Sequence, residues 1–274
     1  MTRRSLLRRT TASTLAALAL EAQEATPVAP NSAQLRWLGS AAPGIDTGVS
    51  FGVPWPRGAV SKTQTFALTT SDGAALPLQS WPLAYWPDGS IKWNGFATVA
   101  HAAGDFRLAP GPPAEPATPI ELTDAGDAIE IDTGKIRARI PKQGAALLDS
   151  IMIDNRAVAG PARLVCTLEG GSTFTSSIRK LTVEQRGPVR ANLKIEGVHK
   201  SDSGTREWLP FVVRLYFYAG LEPIRLIHTI VYDGDEKKEF IRGLGLSFAV
   251  PMREQIHNRH VRFSGADEGL WAEP

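Results

Sequence analysis

The sequence contains very little cysteine and no long apolar segment. Only one of its 274 residues is a cysteine, so the chain cannot form an internal disulfide, and no cysteine–histidine spacing resembles a zinc site. No stretch of about 20 apolar residues, the length of a membrane-spanning helix, is present. Walker-type loops, nucleotide-binding glycine patterns and the G-x-S-x-G turn are also missing. These absences argue against disulfide scaffolds, zinc modules, nucleotide-binding folds and α/β-hydrolases. Cys166, in the apolar run ARLVCTLEG, is predicted to be a buried structural thiol.

Neither sign of charge is in large excess, since the formal net charge is +2. The N-terminal TRRSLLRR precedes the short apolar run TTASTLAALAL and fits a twin-arginine export signal, although a basic disordered start is the alternative. We predict an export signal and spacer over residues 1–33, with possible cleavage near Ala17–Ala19, and a periplasmic or secreted protein. Removal of the signal, with four arginines and no acid, takes the net charge to −2. Nucleic acid is therefore not expected as a partner, and no membrane contact is expected after cleavage.

The remainder of the chain is predicted to be all-β, in two antiparallel domains. Short runs rich in aromatic and β-branched residues, separated by Gly, Pro, Asp and Ser, indicate a small aromatic-rich barrel or sandwich over residues 34–109. Five prolines in APGPPAEPATP predict an extended linker over residues 110–119. Longer and more apolar runs predict a larger antiparallel β-sandwich over residues 120–274, and the chain is expected to continue in the full-length protein.

The segment LPLQSWPLAYWPDGSIKWNGF concentrates aromatic rings beside turn-forming residues. Flat rings stack on the apolar CH faces of sugars, and indole or phenol groups can also hydrogen-bond to hydroxyls. Tyr85, Trp86 and Trp93 are therefore candidate substrate-binding residues. The alternative is that these rings fill the core of a small barrel, which needs bulky side chains to bury enough surface.

The two apolar strands LPFVVRLYFYAG and EPIRLIHTIVYDG are predicted to pair as a central hairpin and to carry the chemistry. Strand alternation places His228 and Tyr232 on one face and Arg214 and Tyr216 on another. If those faces meet, the arginine could bind a uronate carboxylate while a histidine or tyrosine transfers a proton. The alternative is a structural sheet with buried tyrosines and a hydrogen-bonded histidine.

Two charged segments have both structural and functional interpretations. The carboxylates of YDGDEKKEF could hold Ca²⁺, but the segment lacks the EF-hand pattern, so a charged turn is favoured and no cofactor is predicted. The second segment, EQIHNRHVRF, is interpreted either as a solvated loop or as a positive rim for an acidic polysaccharide through His257, Arg259 and His260.

Several long segments, in order, are similar to one enzyme family. GVSFGVPWPRGAV, LPLQSWPLAYWPDGSIKW, HTIVYDGDEKKEFIRGLGLSFAVP and GLWAEP resemble the N-terminal portion of the exo-acting rhamnogalacturonan lyases. The resemblance covers about residues 34–274 and implies two β domains that precede a helical toroid, which this chain lacks. It also implies a secreted or periplasmic enzyme that cleaves the pectin backbone, an acidic plant polysaccharide, by β-elimination.

A lyase of this kind must neutralise the uronate carboxylate, remove the proton at C5 and assist the departing oxygen. The candidate residues are His228 as the base, Tyr232 or Tyr216 as the acid, and Arg214 or Arg225 as the carboxylate partner. The alternative function is a non-catalytic carbohydrate-binding or scaffolding module. In either case the missing C-terminal domain of the same protein is an expected partner.

Overall fold

The computed structural model describes residues 31–39, 41–101 and 104–259, together with the backbone of residues 261–264 and 270–273. Apart from one 3-10 turn, Ile256–Asn258, the regular elements are β-strands in antiparallel sheets. The prediction of an all-β chain with a small domain followed by a larger sandwich is therefore confirmed. The predicted export signal lies outside the described residues, apart from the end of its spacer.

The first domain is built from seven strands in two antiparallel sheets. They are β1 (Ala33–Leu35), β2 (Thr47–Pro54), β3 (Phe66–Thr70), β4 (Ala75–Leu76), β5 (Gln79–Tyr85), β6 (Ile91–Ala100) and β7 (Phe106–Pro110). One sheet has the order β1-β7-β3-β4 and the other has the order β2-β6-β5. Asp88-Gly89 turns the chain between β5 and β6, and Gly89 adopts the positive φ of 84° that a tight turn requires.

Aromatic rings fill much of the first core. Trp55 stacks on Phe66, whose ring meets Phe96 edge-on, and Phe51 stacks on Phe96 from the neighbouring strand. Phe66 and Phe96 are essentially inaccessible to solvent. The prediction that aromatic rings fill the core of the small domain is thus correct for these rings. Other rings of the domain lie outside this core.

The second domain pairs a five-stranded sheet with a six-stranded sheet. The five-stranded sheet contains β8 (Glu121–Asp124), β9 (Ala128–Asp132), β10 (Arg137–Pro141), β11 (Ser150–Ile153) and β12 (Arg156–Ala159). The six-stranded sheet contains β13 (Ala162–Leu168), β14 (Thr173–Gln185), β15 (Arg190–Ser201), β16 (Glu207–Tyr218), β17 (Arg225–Ile230) and β18 (Ile241–Phe248). Its spatial order is β17-β16-β15-β14-β13-β18. Strands β19 (Val261–Ser264) and β20 (Leu270–Glu273) form a separate pair.

The larger core lies between these two sheets. Ile131 and Ile140 project from the five-stranded sheet toward Leu193, Val213 and Leu215 of the six-stranded sheet, and all of these side chains are almost completely buried. On β15 the apolar side chains alternate with polar ones, as the sequence predicts. We call the side of the six-stranded sheet that meets this core the inner face and the opposite side the outer face. Cys166 is buried in a smaller adjoining cluster, so its predicted structural role is consistent with its position.

The two domains are connected by direct hydrogen bonds. The side-chain oxygen of Gln79 accepts hydrogen bonds from the backbone N–H groups of Val189, at 3.1 Å, and Arg190, at 2.8 Å. The hydroxyls of Ser50 and Tyr218 lie 2.7 Å apart. One side of the β2-β6-β5 sheet therefore meets the second domain where β15 begins and β16 ends. Within the described part of the chain, no helix is long and apolar enough to cross a membrane.

Candidate functional site

The pairing register places His228 on the inner face of the six-stranded sheet. His228 pairs with the fully buried Val213, whereas Arg214 pairs with Ile227. Residues directly opposite each other in an antiparallel pair project to the same face, and successive residues project to opposite faces. The expected Arg/Tyr/His cluster is therefore wrong, because the sheet itself separates His228 from Arg214 and Tyr216.

His228 lies instead beside the buried His199 and is itself half-buried. The two ring centroids are 6.3 Å apart, and His199 donates its Nδ1–H to the Leu209 carbonyl at 2.8 Å. The Nε2 atom of each ring is buried and has no hydrogen-bond partner among the described residues. Burial lowers the pKa of both imidazoles below the ordinary value of 6.5, and the neighbouring His199 lowers that of His228 further. Both rings are therefore neutral near pH 7 and face away from the outer surface.

Tyr232 lies beyond the end of β17 and does not share the face of His228. Its hydroxyl donates a hydrogen bond to the Glu239 carbonyl at 2.8 Å, and its ring meets Trp208 edge-on at 5.9 Å. Desolvation raises the pKa of Tyr232, and the nearby Glu239 and Asp235 carboxylates raise it further. Since this hydroxyl is already used in a loop contact, Tyr232 is not placed to act together with His228.

The acidic turn after β17 uses its carboxylates within the protein. Asp233 accepts a hydrogen bond from the Leu209 N–H at 2.7 Å, and Glu239 pairs with Arg206 and accepts from the Asp235 N–H. Leu209 adopts a positive φ of 50°, so the Asp233 contact helps to hold a strained residue. Among the described residues, no three His, Cys, Asp or Glu side chains are grouped so that they could hold a metal ion.

A stack of alternating rings and guanidinium groups crosses the junction of the two domains. The Arg190 guanidinium carbon lies 4.3 Å from the ring centroid of Trp81 and 5.4 Å from that of Tyr216. Arg225 lies on the other strand of the hairpin, directly opposite Tyr216, with its guanidinium carbon 5.9 Å from the same ring. Trp93 lies on the same face of the β2-β6-β5 sheet as Trp81, since Trp81 pairs with Gly95 two residues further along β6. Together with Trp93, these four residues form what we call the seam cluster. Two of its members come from the first domain and three from the second.

Glycines on β2 and β6 allow the two indole rings to lie close against the sheet. Gly52 and Gly95 are directly opposite each other, and Trp81 pairs with Gly95 on the next strand. A Cβ atom at Gly52 would overlap the Trp93 indole, and one at Gly95 would overlap the Trp81 indole. Trp93 remains 40% exposed. The sheet thus supports one exposed indole next to an indole that stacks on Arg190.

Tyr85 and Trp86 do not contribute to the contacts that define the seam cluster. The Trp86 indole N–H donates to the Trp55 carbonyl at 3.0 Å, and the Lys92 ammonium lies 4.7 Å from its ring centroid. Tyr85 is exposed and contacts the Lys62 ammonium at 5.0 Å from its ring centroid. The contacts of Trp86 therefore stabilise the β5-β6 hairpin, whereas Tyr85 and Lys62 form a separate exposed contact.

Arg214 lies on the outer face but is already neutralised. Its Nε and a terminal nitrogen donate to the two oxygens of Glu184 at 2.9 and 3.1 Å. Glu184 also accepts a hydrogen bond from Asn192 at 2.7 Å. The Arg214 hydrogen bond holds the pKa of Glu184 below its ordinary value, and the same contact raises the pKa of Arg214. Arg214 therefore supports the surface, and Arg225 is the better placed of the two candidates to contact an anion.

The basic segment predicted as a possible rim lies elsewhere in the second domain. His257 is in the short 3-10 turn, and Arg259 donates to the Glu254 carbonyl at 2.6 Å. Arg259 lines a shallow cavity together with Arg156 of β12, and none of these residues takes part in the contacts of the seam cluster. His260 lies outside the described residues.

Sequence interpretation missed Trp81 and Arg190 as members of the candidate site. Trp81 was visible in the aromatic segment, and alternation already placed Arg190 on the polar face of β15. The missing signal was the contact between domains, because the partners Trp81 and Arg190 are separated by more than a hundred residues in the chain. The burial of Arg190, which marks this contact, is visible only in the structure.

Comparison with known proteins gives matches over both domains. Residues 31–110 match the PcRGLX-like N-terminal RIFT barrel domain, and residues 120–274 match the PcRGLX-like protein central beta sandwich domain. The chain is also 36% identical over 254 residues to the uncharacterized protein YetA of Bacillus subtilis (strain 168). This alignment covers 88% of the chain but 29% of YetA. The chain therefore spans less than a third of the length of that relative.

Proposed function

Because the chain belongs to the PcRGLX-like family, we propose that it forms the saccharide-binding front part of an exported lyase that cleaves rhamnogalacturonan by β-elimination. Membership of this rhamnogalacturonan lyase-like family agrees with the resemblance found in the sequence. The helical portion expected from that resemblance would follow this chain in the full-length protein. The proposed substrate is therefore an acidic polysaccharide in which rhamnose alternates with galacturonate.

The observation that supports this function is the composite surface of the seam cluster. Trp93 offers an exposed aromatic face, and Tyr216 and Arg225 offer a hydroxyl and a cation beside the junction. Aromatic faces stack on sugar rings, and arginine pairs with carboxylates. An exposed ring, a phenol and a cation are the groups that would bind an alternating neutral and acidic saccharide, and this supports the proposal.

The chemistry of β-elimination assigns distinct roles to these groups. Arg225 would neutralise the uronate carboxylate, which makes the C5 proton more acidic, and Tyr216 would be the nearest group able to transfer a proton. His228 cannot supply the base to this surface, because it lies on the inner face of the sheet. Any further catalytic residue would come from the part of the protein that follows this chain.

A non-catalytic saccharide-binding module is the second candidate function. Neither His199 nor His228 reaches the outer face, so the described residues of this surface offer aromatic and cationic groups but no imidazole base. A module of this kind would hold the polymer while the remainder of the protein cleaves it.

One assay distinguishes the two functions. The purified chain is incubated with rhamnogalacturonan, and the ultraviolet absorbance of the unsaturated uronate is followed while binding is measured in parallel. Rising absorbance that Tyr216→Phe reduces supports the lyase, and binding without absorbance supports the module. Absence of both signals would contradict the proposed function of this chain.

Export is part of the proposal and has its own test. With Arg3 and Arg4 both replaced by lysine, the protein should accumulate in the cytoplasmic fraction, because the twin-arginine pair is the feature that the export pathway reads. Unchanged export of this variant would contradict the twin-arginine assignment.

A further inference from the structure

The outer face carries more guanidinium groups than carboxylates around Tyr216. Arg214 is paired with Glu184, and the Lys194 ammonium lies 3.1 Å from Glu196. No carboxylate among the described residues lies within ion-pair distance, 4.0 Å, of Arg190 or Arg225. The guanidinium charges of Arg190 and Arg225, on the two strands that flank Tyr216, therefore have no compensating carboxylate in the part of the chain that the structure describes.

Arg190 is the more unusual of these two cations because it is only 6% exposed. Its guanidinium donates to neutral acceptors, the Ser50 hydroxyl at 2.5 Å and the Gln185 side-chain oxygen at 2.9 Å. Hydrogen bonds and ring faces offset part of the cost of burying a cation, but they do not cancel its charge. A buried guanidinium without an acidic partner creates a positive potential that favours an anion nearby.

An unpartnered acceptor lies in the same region. Asn192 is directly opposite Tyr216 on β15 and is only 5% exposed. Its amide nitrogen donates to Glu184, but its Oδ1 atom is buried without a hydrogen-bond partner among the described residues. A buried acceptor without a donor is costly, and a ligand hydroxyl would satisfy it. This observation is independent of the charge and points to a ligand that carries hydroxyl groups.

We propose that the outer face around Tyr216 is a subsite for one hydroxylated carboxylate, namely a uronate unit of the polymer. Arg225 contacts the carboxylate oxygens, and Asn192 Oδ1 accepts a hydrogen bond from a neighbouring hydroxyl. Arg190 is a positioning residue that fixes Tyr216 relative to Trp81 and supplies the second positive charge. The inference rests on the proposed saccharide-binding function and adds that the carboxylate of one uronate unit is bound at the junction of the two domains.

The test compares an acidic ligand with its neutral methyl ester. A rhamnogalacturonan tetrasaccharide with free carboxyl groups and the same tetrasaccharide as its methyl ester are titrated into the full chain by calorimetry. Hydrogen bonds to charged groups are strong enough that the free acid should bind about tenfold or more tightly than the ester. Arg225→Gln should remove this preference, because it should weaken binding of the free acid far more than binding of the ester.

Arg190 requires a conservative variant because its removal could disturb folding. Arg190→Lys keeps the charge but loses the planar group that stacks between two rings. It should retain a reduced preference for the acid, whereas Arg190→Met should lose that preference. Arg163→Gln on β13 removes an exposed arginine away from the junction and is the matched control, for which the wild-type preference is expected.

The outcomes separate this inference from the proposed function. Equal affinity of the wild-type chain for acid and ester would overturn the subsite and leave saccharide binding intact, as would an unchanged preference in Arg225→Gln. Failure of the wild-type chain to bind either form would overturn both. Displacement of the tetrasaccharide by an equal concentration of inorganic phosphate would show a general anion site and would also overturn the assignment to a uronate.

Discussion

The inner and outer faces of the six-stranded sheet are built from the same strands but obey different physical constraints. On β15 and β16 the inner face carries Leu193, Val213 and Leu215, which are fully buried against the opposite sheet. The outer face of the same strands carries Arg214 and Tyr216, which remain partly exposed. Successive side chains point to opposite faces, so adjacent residues of one strand differ in role: one stabilises the core and the next lies at a candidate binding position.

The two faces also treat their titratable groups differently. The inner face keeps His199 and His228 neutral, because burial penalises the charged imidazole. The outer face keeps charges, either paired, as in Arg214 and Glu184, or unpaired, as in Arg225. Charge is thus confined to the face that a ligand could reach, and the comparison predicts effects of very different size for substitutions on the two faces.

The largest effect is expected from truncation of an inner-face side chain. Leu215→Ala should lower the free energy of unfolding by about 2–5 kcal/mol, because it removes buried apolar contacts and leaves a cavity. The matched outer-face change, Ile227→Ala, should cost less than about 1 kcal/mol, since that side chain is 38% exposed. Urea denaturation monitored by tryptophan fluorescence measures both values. Similar losses for the two variants would show that the faces do not differ as described.

Local sequence patterns were sufficient to predict much of the fold. Alternation in VRANLKIEGVHK placed Leu193 and Ile195 inward and Asn192 outward, as the structure has them. The Asp88-Gly89 turn likewise follows from a local conformational preference. These features depend on contacts within a strand or a short turn, so they need no knowledge of which strands pair.

The candidate site was harder to predict because it depends on register and on contacts between domains. The sequence placed Arg214 and Tyr216 together on one face, but the pairing of Val213 with His228 could not be deduced from either strand alone. The stacking of Trp81 on Arg190 joins residues of different domains. Such long-range contacts are selected by the packing of whole sheets, which no local pattern specifies.

A smaller effect is expected from the pH dependence of the two inner-face histidines, His199 and His228. Because the folded-state pKa values of His199 and His228 lie below 6.5, their contribution to stability is complete above about pH 6.5 and is lost as pH falls toward the folded values. Each unit by which a pKa is lowered corresponds to about 1.4 kcal/mol. The midpoint temperature of thermal unfolding should therefore decrease as the pH is lowered from about 7 to about 5.

His228→Gln tests the origin of this pH dependence. The variant should show a shallower decrease in the unfolding midpoint, whereas the control His257→Gln, which changes an exposed histidine, should follow the wild-type curve. Parallel curves for wild type and His228→Gln would assign the pH dependence to other groups. Thermal unfolding followed by circular dichroism over this pH range provides the measurement.

The smallest effect on stability is expected from the ion pair on the outer face. Glu184→Gln should lower the free energy of unfolding by no more than about 1 kcal/mol, because both partners are partly exposed and water screens their attraction. The contribution of the carboxylate is present above its ordinary pKa of 4.5 and is lost as pH falls through the lower folded value. Glu222→Gln, at an exposed position after β16, is the control.

Glu184→Gln also tests whether charge on the outer face controls ligand binding, because loss of the Glu184 charge leaves Arg214 without its acidic partner. With a third uncompensated guanidinium beside Tyr216, Glu184→Gln should bind the acidic tetrasaccharide more tightly than wild type, and added salt should weaken this gain. Affinity for the methyl ester should not change. A gain that is equal for acid and ester would mean that the released Arg214 does not act on the charge of the ligand. The outer face would then discriminate ligands by hydrogen bonds to neutral groups, whereas the inner face selects its own side chains by packing.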